Sequence, residues 1–233
     1  MIGKRNFCSY NTRIPSKKTI YQLKVILKNI SPPIWRRLLL PSDASFWELH
    51  LAIQDSFGWT GYHLHQFFIG PIWDRNTLRI CLSNLEENIL EEKKEPLDES
   101  KTTLSDYLSK KRPRISYIYD FGDDWDHQII LEKELPFNGG KKYPQVIAGK
   151  RACPWEDSGG PWGYQEKIEI LKNKKRKYYK EVAEWVGIND FSELDLESFD
   201  PKEVIFGNPK TELRRYKEMV GLTNPPQQDI NKP

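Results

Sequence analysis

Two histidines and two aspartates stand out as residues that could together hold a transition-metal ion. His63 and His65 are two positions apart in a predicted strand, so their side chains share one face of it. Asp120 and Asp126 lie on either side of a predicted turn. Imidazole and carboxylate groups are common ligands of divalent transition metals. We therefore take these four residues as candidate metal ligands, although no tight motif such as His-Glu-x-x-His is present to identify a metal or a reaction.

The segment 115–135, which carries both aspartates, is predicted to form a β-hairpin. Apolar and aromatic residues alternate with polar ones on each side of a short turn at residues 122–124. A three-residue turn places Tyr119 opposite His127 and gives the hairpin one aromatic and apolar face. Because a slip of one residue would mix the two faces, the alternation favours this register.

The same register places Asp120 directly opposite Asp126 on the other face of the hairpin. Two carboxylates across a β-ladder repel each other, so we expect a compensating group nearby: a cation, an arginine or a shared proton. Arg36 and Arg37 are the candidates, because both lie in a predicted strand, 34–40, of the same sheet; only one of them can point to this face, and we favour Arg36. Its planar side chain can bind two carboxylate oxygens and stays charged.

A glycine-rich segment, 156–160, precedes a predicted helix. Such a segment can hold an anion at a helix N-terminus. It carries two carboxylates and no phosphate-binding motif, however, so a tight turn with left-handed backbone is favoured. His127 falls on the apolar face of the hairpin, where a core role is the more common one. The full set of candidate ligand-binding residues is Arg36, His63, His65, Asp120, Asp123, Asp126, His127, Glu156 and Asp157.

Periodicity and capping signals predict the elements that position these residues. Strict alternation predicts a strand at 20–28, and Ser45 with Glu48 forms a capping-box pattern at the start of a helix that Gly58 ends. The Glu- and Lys-rich stretch 86–101 is expected to be a solvated excursion. Further strands are predicted at 63–69, 78–82 and 143–148, and helices at 162–171 and 178–186 and after Asp200 and Asn208.

The composition indicates a folded, soluble protein. Aromatic residues make up 12% of the 233 positions and supply a core despite a charged fraction of 30%. Three widely separated cysteines argue against a disulfide framework and favour a reducing compartment. No apolar run approaches the roughly 20 residues of a membrane span, and no apolar signal sequence is present. We therefore expect a cytoplasmic protein with no membrane partner.

Charge is unevenly distributed along the chain, although the net charge is only +3. Residues 1–41 carry nine basic residues and no acidic ones, whereas residues 42–135 carry ten basic and eighteen acidic residues. A basic arm beside an acidic middle fits either binding to a polyanion or contacts between parts of the fold. We favour the second interpretation, because the pattern does not define a single basic face.

These patterns together predict the α+β class. We expect a mixed or antiparallel sheet with a central hairpin, helices packed on it, and a helical C-terminal region from about residue 162. The predicted organisation is a flexible basic tail at 1–18, one domain at 19–221 and a frayed tail at 222–233.

Several short motifs occur in a specific order along the chain. They are Tyr21-x-Leu-Lys-Val, Pro32-Pro33-Ile34-Trp35-Arg36-Arg37, Phe57-Gly58-Trp59, His63-Leu64-His65-x-Phe67, Tyr119-Asp120-Phe121-Gly122-Asp123-x-Trp125-x-His127 and Glu156-Asp157-x-Gly159-Gly160. This series resembles the Ri-plasmid ORF-three-like family, which is also labelled as a resolvase-like passenger protein of an insertion element. The resemblance implies a soluble α+β domain in a plasmid or mobile-element setting and no established activity. The family pattern usually has a cysteine where this chain has Ser158, so a role for that cysteine does not transfer.

Two functions from different classes fit these features. We favour a binding or interaction module in which a cleft bearing aspartate and histidine holds a protein, a peptide or a nucleic acid, because the sequence contains no complete catalytic set. The alternative is a metal-dependent hydrolase or nuclease that uses the four candidate metal ligands. No cofactor is predicted except a divalent metal ion at that set.

Overall fold

The computed structural model describes residues 19–82 and 95–222, and these residues form an α+β fold. The predicted tail 1–18 and residues 223–233 of the predicted C-terminal tail lie outside the described residues. The strands are β1 (Thr19–Leu27), β2 (Ile34–Pro41), β3 (His65–Ile69), β4 (Leu78–Cys81), β5 (Leu97–Asp98), β6 (Arg114–Tyr119), β7 (Trp125–Pro136) and β8 (Gln145–Lys150). The helices are α1 (Phe46–Phe57), α2 (Leu104–Tyr107), α3 (Gly160–Leu171), α4 (Tyr179–Val186) and α5 (Pro209–Met219), with 3₁₀ turns at Phe191–Glu193 and Pro201–Glu203.

Across the described ranges, the eight strands form one mixed sheet in the order β5-β4-β3-β6-β7-β1-β2-β8. The parallel pair in this sheet is β4 with β5, and the other neighbouring strands are antiparallel. The β6–β7 hairpin lies in the middle of the order. The predicted mixed sheet with a central hairpin is therefore confirmed.

The hairpin register differs by two residues from the predicted one. Tyr119 pairs with Trp125 and Tyr117 pairs with His127, so the connecting loop comprises residues 120–124. A shift of two residues leaves every side chain on its own face, because side chains alternate with period two. The aromatic face is therefore as predicted, whereas the individual pairs are not.

The predicted pairing of Asp120 with Asp126 is wrong for the same reason. Ile118 stands opposite Asp126, and Asp120 lies in the turn. Asp120 and Asp124 have left-handed backbone, with φ of 58° and 54°. Aspartate tolerates this conformation better than most residues, and two such positions close the longer loop.

Helix α1 begins and ends where the capping signals predicted. The Ser45 side chain accepts a hydrogen bond from the Glu48 N–H, and the Glu48 carboxylate accepts one from the Ser45 N–H at 2.7 Å. Gly58 ends the helix with a φ of 77°. The apolar side of α1 packs on the aromatic face of the sheet, in a core that contains Leu23, Val25, Phe46, Leu49, Ile53, Phe57, Tyr117, Trp125 and Ile129.

The C-terminal region is helical, as predicted. Helices α3 and α4 share a small apolar cluster that includes Leu171 and Tyr179. Helix α5 packs on α1 through Tyr216 and Trp47, and the Trp47 indole N–H donates to the Pro209 carbonyl at 2.9 Å. Of the helices in the described ranges, none is both long enough and apolar enough to cross a membrane.

The predicted excursion at 86–101 is partly buried. Residues 83–94 lie outside the described residues, but β5 lies within the sheet, and the Glu99 side chain next to it is fully enclosed. The expectation of a solvated stretch is therefore wrong at its C-terminal end. Residues 97–98 form a half-buried edge strand of the sheet, and Glu99 after them is buried.

Candidate functional site

Three side chains from separate loops meet at the turn of the β6–β7 hairpin: His63, Asp120 and Asp157. Nδ1 of His63 lies 3.6 Å from Oδ2 of Asp120, and Nε2 of His63 lies 3.3 Å from Oδ1 of Asp157. One potential ligand atom from each residue lies within 4.8 Å of the other two. These three residues are named the His63 cluster below.

The His63 cluster is open to solvent on one side. The side chain of Asp120 is only 12% exposed, that of His63 is 33% exposed and that of Asp157 is 70% exposed. An ion can therefore reach the cluster from the Asp157 side. Any ion held there would keep further positions for water.

The hairpin turn holds Asp120 in a fixed orientation. Its Oδ1 accepts hydrogen bonds from the N–H groups of Gly122 at 2.9 Å and Asp123 at 3.3 Å. Its Oδ2 is the oxygen that faces His63. One carboxylate oxygen thus stabilises the turn while the other is directed at the imidazole.

The loop that carries Asp157 is fastened to the same turn. The Gly159 N–H donates to Oδ2 of Asp123 at 3.1 Å. Asp157, Gly159 and Gly160 have φ values of 57°, 83° and 67°, so the predicted left-handed turn is confirmed. A Cβ at Gly160 would lie 2.1 Å from the Asp123 carbonyl oxygen, and this close approach requires glycine.

Glu156 joins this loop to the segment before β3. Its carboxylate accepts a hydrogen bond from the Tyr119 hydroxyl, and it also accepts from the N–H and the hydroxyl of Thr60 at 2.8 Å and 3.0 Å. Burial and the adjacent Glu156 carboxylate raise the pKa of Tyr119 well above its ordinary value. The phenol therefore stays protonated and acts as a donor.

His65, the second histidine of the predicted metal set, does not lie with His63. Strand β3 begins at His65, and His63 precedes it in a loop, so the two do not follow one strand alternation. Nε2 of His65 contacts the Glu99 carboxylate at 3.0 Å, and the His65 ring stacks on His50 with centroids 3.5 Å apart. The His65 side chain is 1% exposed and has no access to solvent.

Asp126 also lies apart from the cluster. Its Oδ2 pairs with Nζ of Lys28, which directly follows β1, the strand next to β7. The structure therefore brings together two of the four predicted metal ligands, His63 and Asp120. It adds Asp157, which was predicted as a ligand-binding residue but not as a metal ligand.

The predicted pairing of Arg36 with the hairpin aspartates is wrong. Arg36 is buried, and its Nε donates to the Ser56 carbonyl at 2.8 Å while Nη1 donates to the carbonyls of Trp35 and Lys150, both at 3.0 Å. The guanidinium also lies over the ring of Phe199 at 3.7 Å. Burial lowers the pKa of Arg36 to about 10. Backbone carbonyls, rather than carboxylates, satisfy this cation.

His127 has the core role expected from the apolar face of the hairpin. It is fully buried, and its Nδ1 donates to the Trp125 carbonyl at 2.8 Å. Burial lowers the pKa of His127 to about 3, so the ring is neutral in the folded protein at neutral pH.

Two features of this region were not found by sequence reasoning. Glu99 lies in a charged stretch, and nothing in its neighbours distinguishes it from a solvated residue. The contact of Asp157 with His63 joins two loops that are distant in the chain, and no spacing rule relates them. The left-handed turn at 157–160 was the available signal that this loop has a defined shape.

Comparisons with known proteins identify a family and two relatives that this chain resembles. The family model described as "Plasmid pRiA4b ORF-3-like protein" matches residues 19–203. The chain is 32% identical over 174 residues to "Uncharacterized protein y4hQ" of Sinorhizobium fredii (strain NBRC 101917 / NGR234). This match covers 74% of this chain and 84% of that protein. It is similar to the crystal structure of a protein of unknown function, MM3350 from Methanosarcina mazei Go1. That match has a TM-score of 0.69 and 39% identity over 81% of this chain and 99% of the other.

Proposed function

The chain belongs to the plasmid pRiA4b ORF-3-like family, and we propose that it is a cytoplasmic binding protein that holds a divalent transition-metal ion at the His63 cluster. One observation carries this proposal: His63, Asp120 and Asp157 converge from three loops, with one ligand atom each within 4.8 Å. Cys81 and Cys153 are thiols, which fits a reducing compartment. The description of the family supports the expectation of a plasmid setting.

The donor set has a defined chemical preference. One imidazole nitrogen and two carboxylate oxygens suit Zn²⁺, Mn²⁺ or Co²⁺ better than a soft, thiolate-preferring ion. Three protein ligands leave positions for water or for an outside ligand. A competing occupant is a proton, because a protonated His63 would bridge Asp120 and Asp157 as an ion pair with no metal.

Metal-dependent hydrolysis is the second candidate, and the open three-ligand set favours it over a purely structural site. A hydrolase would also need a general base beside the metal-bound water. Glu156 is the neighbouring carboxylate, but both of its oxygens already accept hydrogen bonds from Tyr119 or Thr60. Binding is therefore the function that the geometry supports better.

Metal titration of the purified protein tests the proposal. We expect Zn²⁺ to shift the His63 ring signals in NMR spectra saturably at one equivalent, with the rings of His50, His65 and His127 unaffected because all three are buried. His63→Gln should abolish binding, and Asp157→Asn should weaken it at least about tenfold. Asp124→Asn is the matched control, because it removes an exposed carboxylate with the same left-handed backbone in the same turn.

Two results would refute metal binding. One is the absence of a saturable shift of the His63 ring with Zn²⁺, Mn²⁺ and Co²⁺, which would leave the cluster as an ion pair. The other is an affinity that His63→Gln leaves unchanged. Metal-dependent cleavage of a chromogenic phosphodiester that His63→Gln removes would instead favour the hydrolase over the binding protein.

A further inference from the structure

A cleft of about 500 Å³ lies between α1 and α5, and none of the His63 cluster residues lines it. We name it the α1–α5 cleft. Its walls come from α1, from the segment 59–62 and from the C-terminal part of the chain that ends in α5. This volume lies in the usual range for sites that take small organic molecules.

Four aromatic side chains line the α1–α5 cleft: Trp47, Trp59, Tyr62 and Tyr216. Trp47, Trp59 and Tyr216 are almost fully buried, with 3%, 7% and 5% exposure, so their rings are held by the surrounding packing. Tyr62, by contrast, is 69% exposed at the rim. Ile205 and Met219 also line the cleft and are exposed, so three apolar side chains lie at its rim.

The polar tips of the three buried aromatic residues are already engaged away from the cleft. The indole N–H groups of Trp47 and Trp59 donate to the carbonyls of Pro209 and Pro154, each at 2.9 Å. The Tyr216 hydroxyl donates to the carbonyl of His63 at 3.2 Å. These residues therefore offer ring surface, rather than hydrogen bonds, to an occupant of the cleft.

The charge in the cleft is negative and incompletely balanced. Arg215 donates to Glu212 at 2.9 Å, so these two charges compensate each other. Asp55 accepts from the Gly207 N–H at 3.0 Å, and within the described ranges no cationic side chain pairs with it. Burial and the nearby Glu212 raise the pKa of Asp55, as expected for a carboxylate that lacks a counter-ion.

A buried amide provides a further polar group. Gln54 lines the cleft and is 2% exposed. Its Nε2 donates to the Tyr117 hydroxyl at 2.9 Å, while its Oε1 has no hydrogen-bond partner in the described part of the chain. A buried amide oxygen normally accepts at least one hydrogen bond, so this atom is an unused acceptor in the wall of the cleft.

We propose that the α1–α5 cleft binds a small organic cation, in which an ammonium or guanidinium group is carried on an apolar body. The cation would pair with Asp55, the lining carboxylate that has no cationic partner among the described residues. The apolar body would contact Tyr62 and the exposed rim residues Ile205 and Met219. This site is separate from the proposed metal site and needs no metal.

Two probes that differ in charge but share a body test the proposal. Phenethylammonium is the cation and 3-phenylpropionate is the anion, and both are titrated without added metal while the indole N–H signals of Trp47 and Trp59 are followed by NMR. We expect saturable shifts of these two signals and an affinity about tenfold higher for the cation. Asp55→Asn should remove most of this preference, since asparagine can still accept from Gly207. Asp43→Asn, an equal charge change at an exposed position outside the cleft lining, should leave it intact.

Tyr62→Ala should weaken both probes, because it removes apolar contact without removing charge. Because the Tyr62 side chain is largely exposed, its removal should leave the fold intact. Trp73→Ala is the control, because it removes an 87% exposed aromatic side chain that does not line the cleft. The proposal is overturned by equal affinity for the two probes in the wild-type protein. It is also overturned by an absence of saturable shifts at millimolar cation, or by a cation preference that survives Asp55→Asn.

Discussion

Glu99 accepts a hydrogen bond from Nε2 of His65 at 3.0 Å, and both side chains are enclosed in the core. The His50 ring stacks on the face of the His65 ring, with the two ring planes only 5° apart. Burial and the neighbouring His65 lower the pKa of His50 well below its ordinary value. Among the described side chains, the buried Glu99 carboxylate therefore has one hydrogen-bonding partner, the His65 imidazole.

Replacing His65 by phenylalanine should destabilise the protein strongly. The introduced phenyl ring would still stack against His50, but Glu99 would be left as a buried carboxylate without its partner. Removing one partner of a buried pair typically costs about 3–5 kcal/mol. Chemical denaturation at pH 7 measures the change in the free energy of unfolding.

The double variant His65→Phe/Glu99→Gln provides the control for this prediction. Glutamine fills the same space without a charge, so it should recover part of the stability that His65→Phe loses. Strictly additive effects would show that the pair contributes no coupling energy and that the loss comes from packing alone.

Stability should fall on acidification because of His127. The pKa of this side chain is lowered to about 3 by burial, whereas in the unfolded chain it is about 6.5. Below about pH 6.5 the unfolded chain binds a proton that the folded protein does not, so the free energy of unfolding decreases by up to about 1.4 kcal/mol per pH unit towards pH 3. Above about pH 6.5 this contribution is constant.

His127→Gln is the variant that isolates this effect, because glutamine does not titrate. Its free energy of unfolding between pH 6 and pH 4 should vary less steeply with pH than that of the wild type, whatever its value at pH 7. Unfolding curves in urea at several pH values give both slopes. Parallel pH profiles would contradict a neutral, buried His127.

The sequence predicted the fold where one face of an element is buried. In β1 the residues Leu23 and Val25 are fully buried, and this is the alternation that identified the strand. The helix α1 was located by Ser45 and Gly58, whose capping roles are local. Local patterns carried these predictions because neighbouring residues determine them.

The candidate site was predicted only in part, because its contacts join distant loops. Periodicity placed His63 on the strand with His65, but the strand starts two residues later. Alternation cannot distinguish hairpin registers that differ by two residues. The predicted register therefore paired Asp120 with Asp126, whereas Ile118 is the residue opposite Asp126 in the structure. Arg36 was assigned a carboxylate partner because charged residues suggest charged partners, whereas backbone carbonyls leave no signal in a sequence.

The loop that carries Asp157 should depend on the absence of a side chain at Gly160. Gly160→Ala would add a Cβ 2.1 Å from the Asp123 carbonyl oxygen, at a φ of 67°. The left-handed backbone costs about 1–2 kcal/mol for a non-glycine residue, and the clash adds about 1–3 kcal/mol. Thermal and chemical unfolding measure the total.

Gly187→Ala is the matched control, since its φ is 81° and nothing lies within 4 Å of the added Cβ. It should cost only the backbone part, about 1–2 kcal/mol. Gly160→Ala should also weaken any metal bound at the His63 cluster, because it displaces the loop that carries Asp157. Equal losses of stability for the two variants would show that the close approach at Gly160 relaxes without cost.

Arg36 should be coupled to Phe199 and not to Asp126. Arg36→Met removes the donor to the carbonyls of Ser56 and Lys150, and we expect a loss of more than about 2 kcal/mol, because the buried Ser56 carbonyl is left without this partner and the buried guanidinium contacts are lost. Asp126→Asn should be mild, since its partner Lys28 is 43% exposed.

Two double-mutant cycles on Arg36 distinguish the possible partners. The cycle with Asp126→Asn should give an interaction energy below about 0.5 kcal/mol, because the two side chains share no contact. The cycle with Phe199→Leu should give about 0.5–2 kcal/mol, because the guanidinium lies 3.7 Å from the centre of that ring and Arg36 is buried. Denaturation of the wild type, the single variants and the two double variants supplies both values. A large coupling with Asp126 and none with Phe199 would mean that the guanidinium reaches the hairpin carboxylate in solution, and the structural assignment of Arg36 would then be wrong.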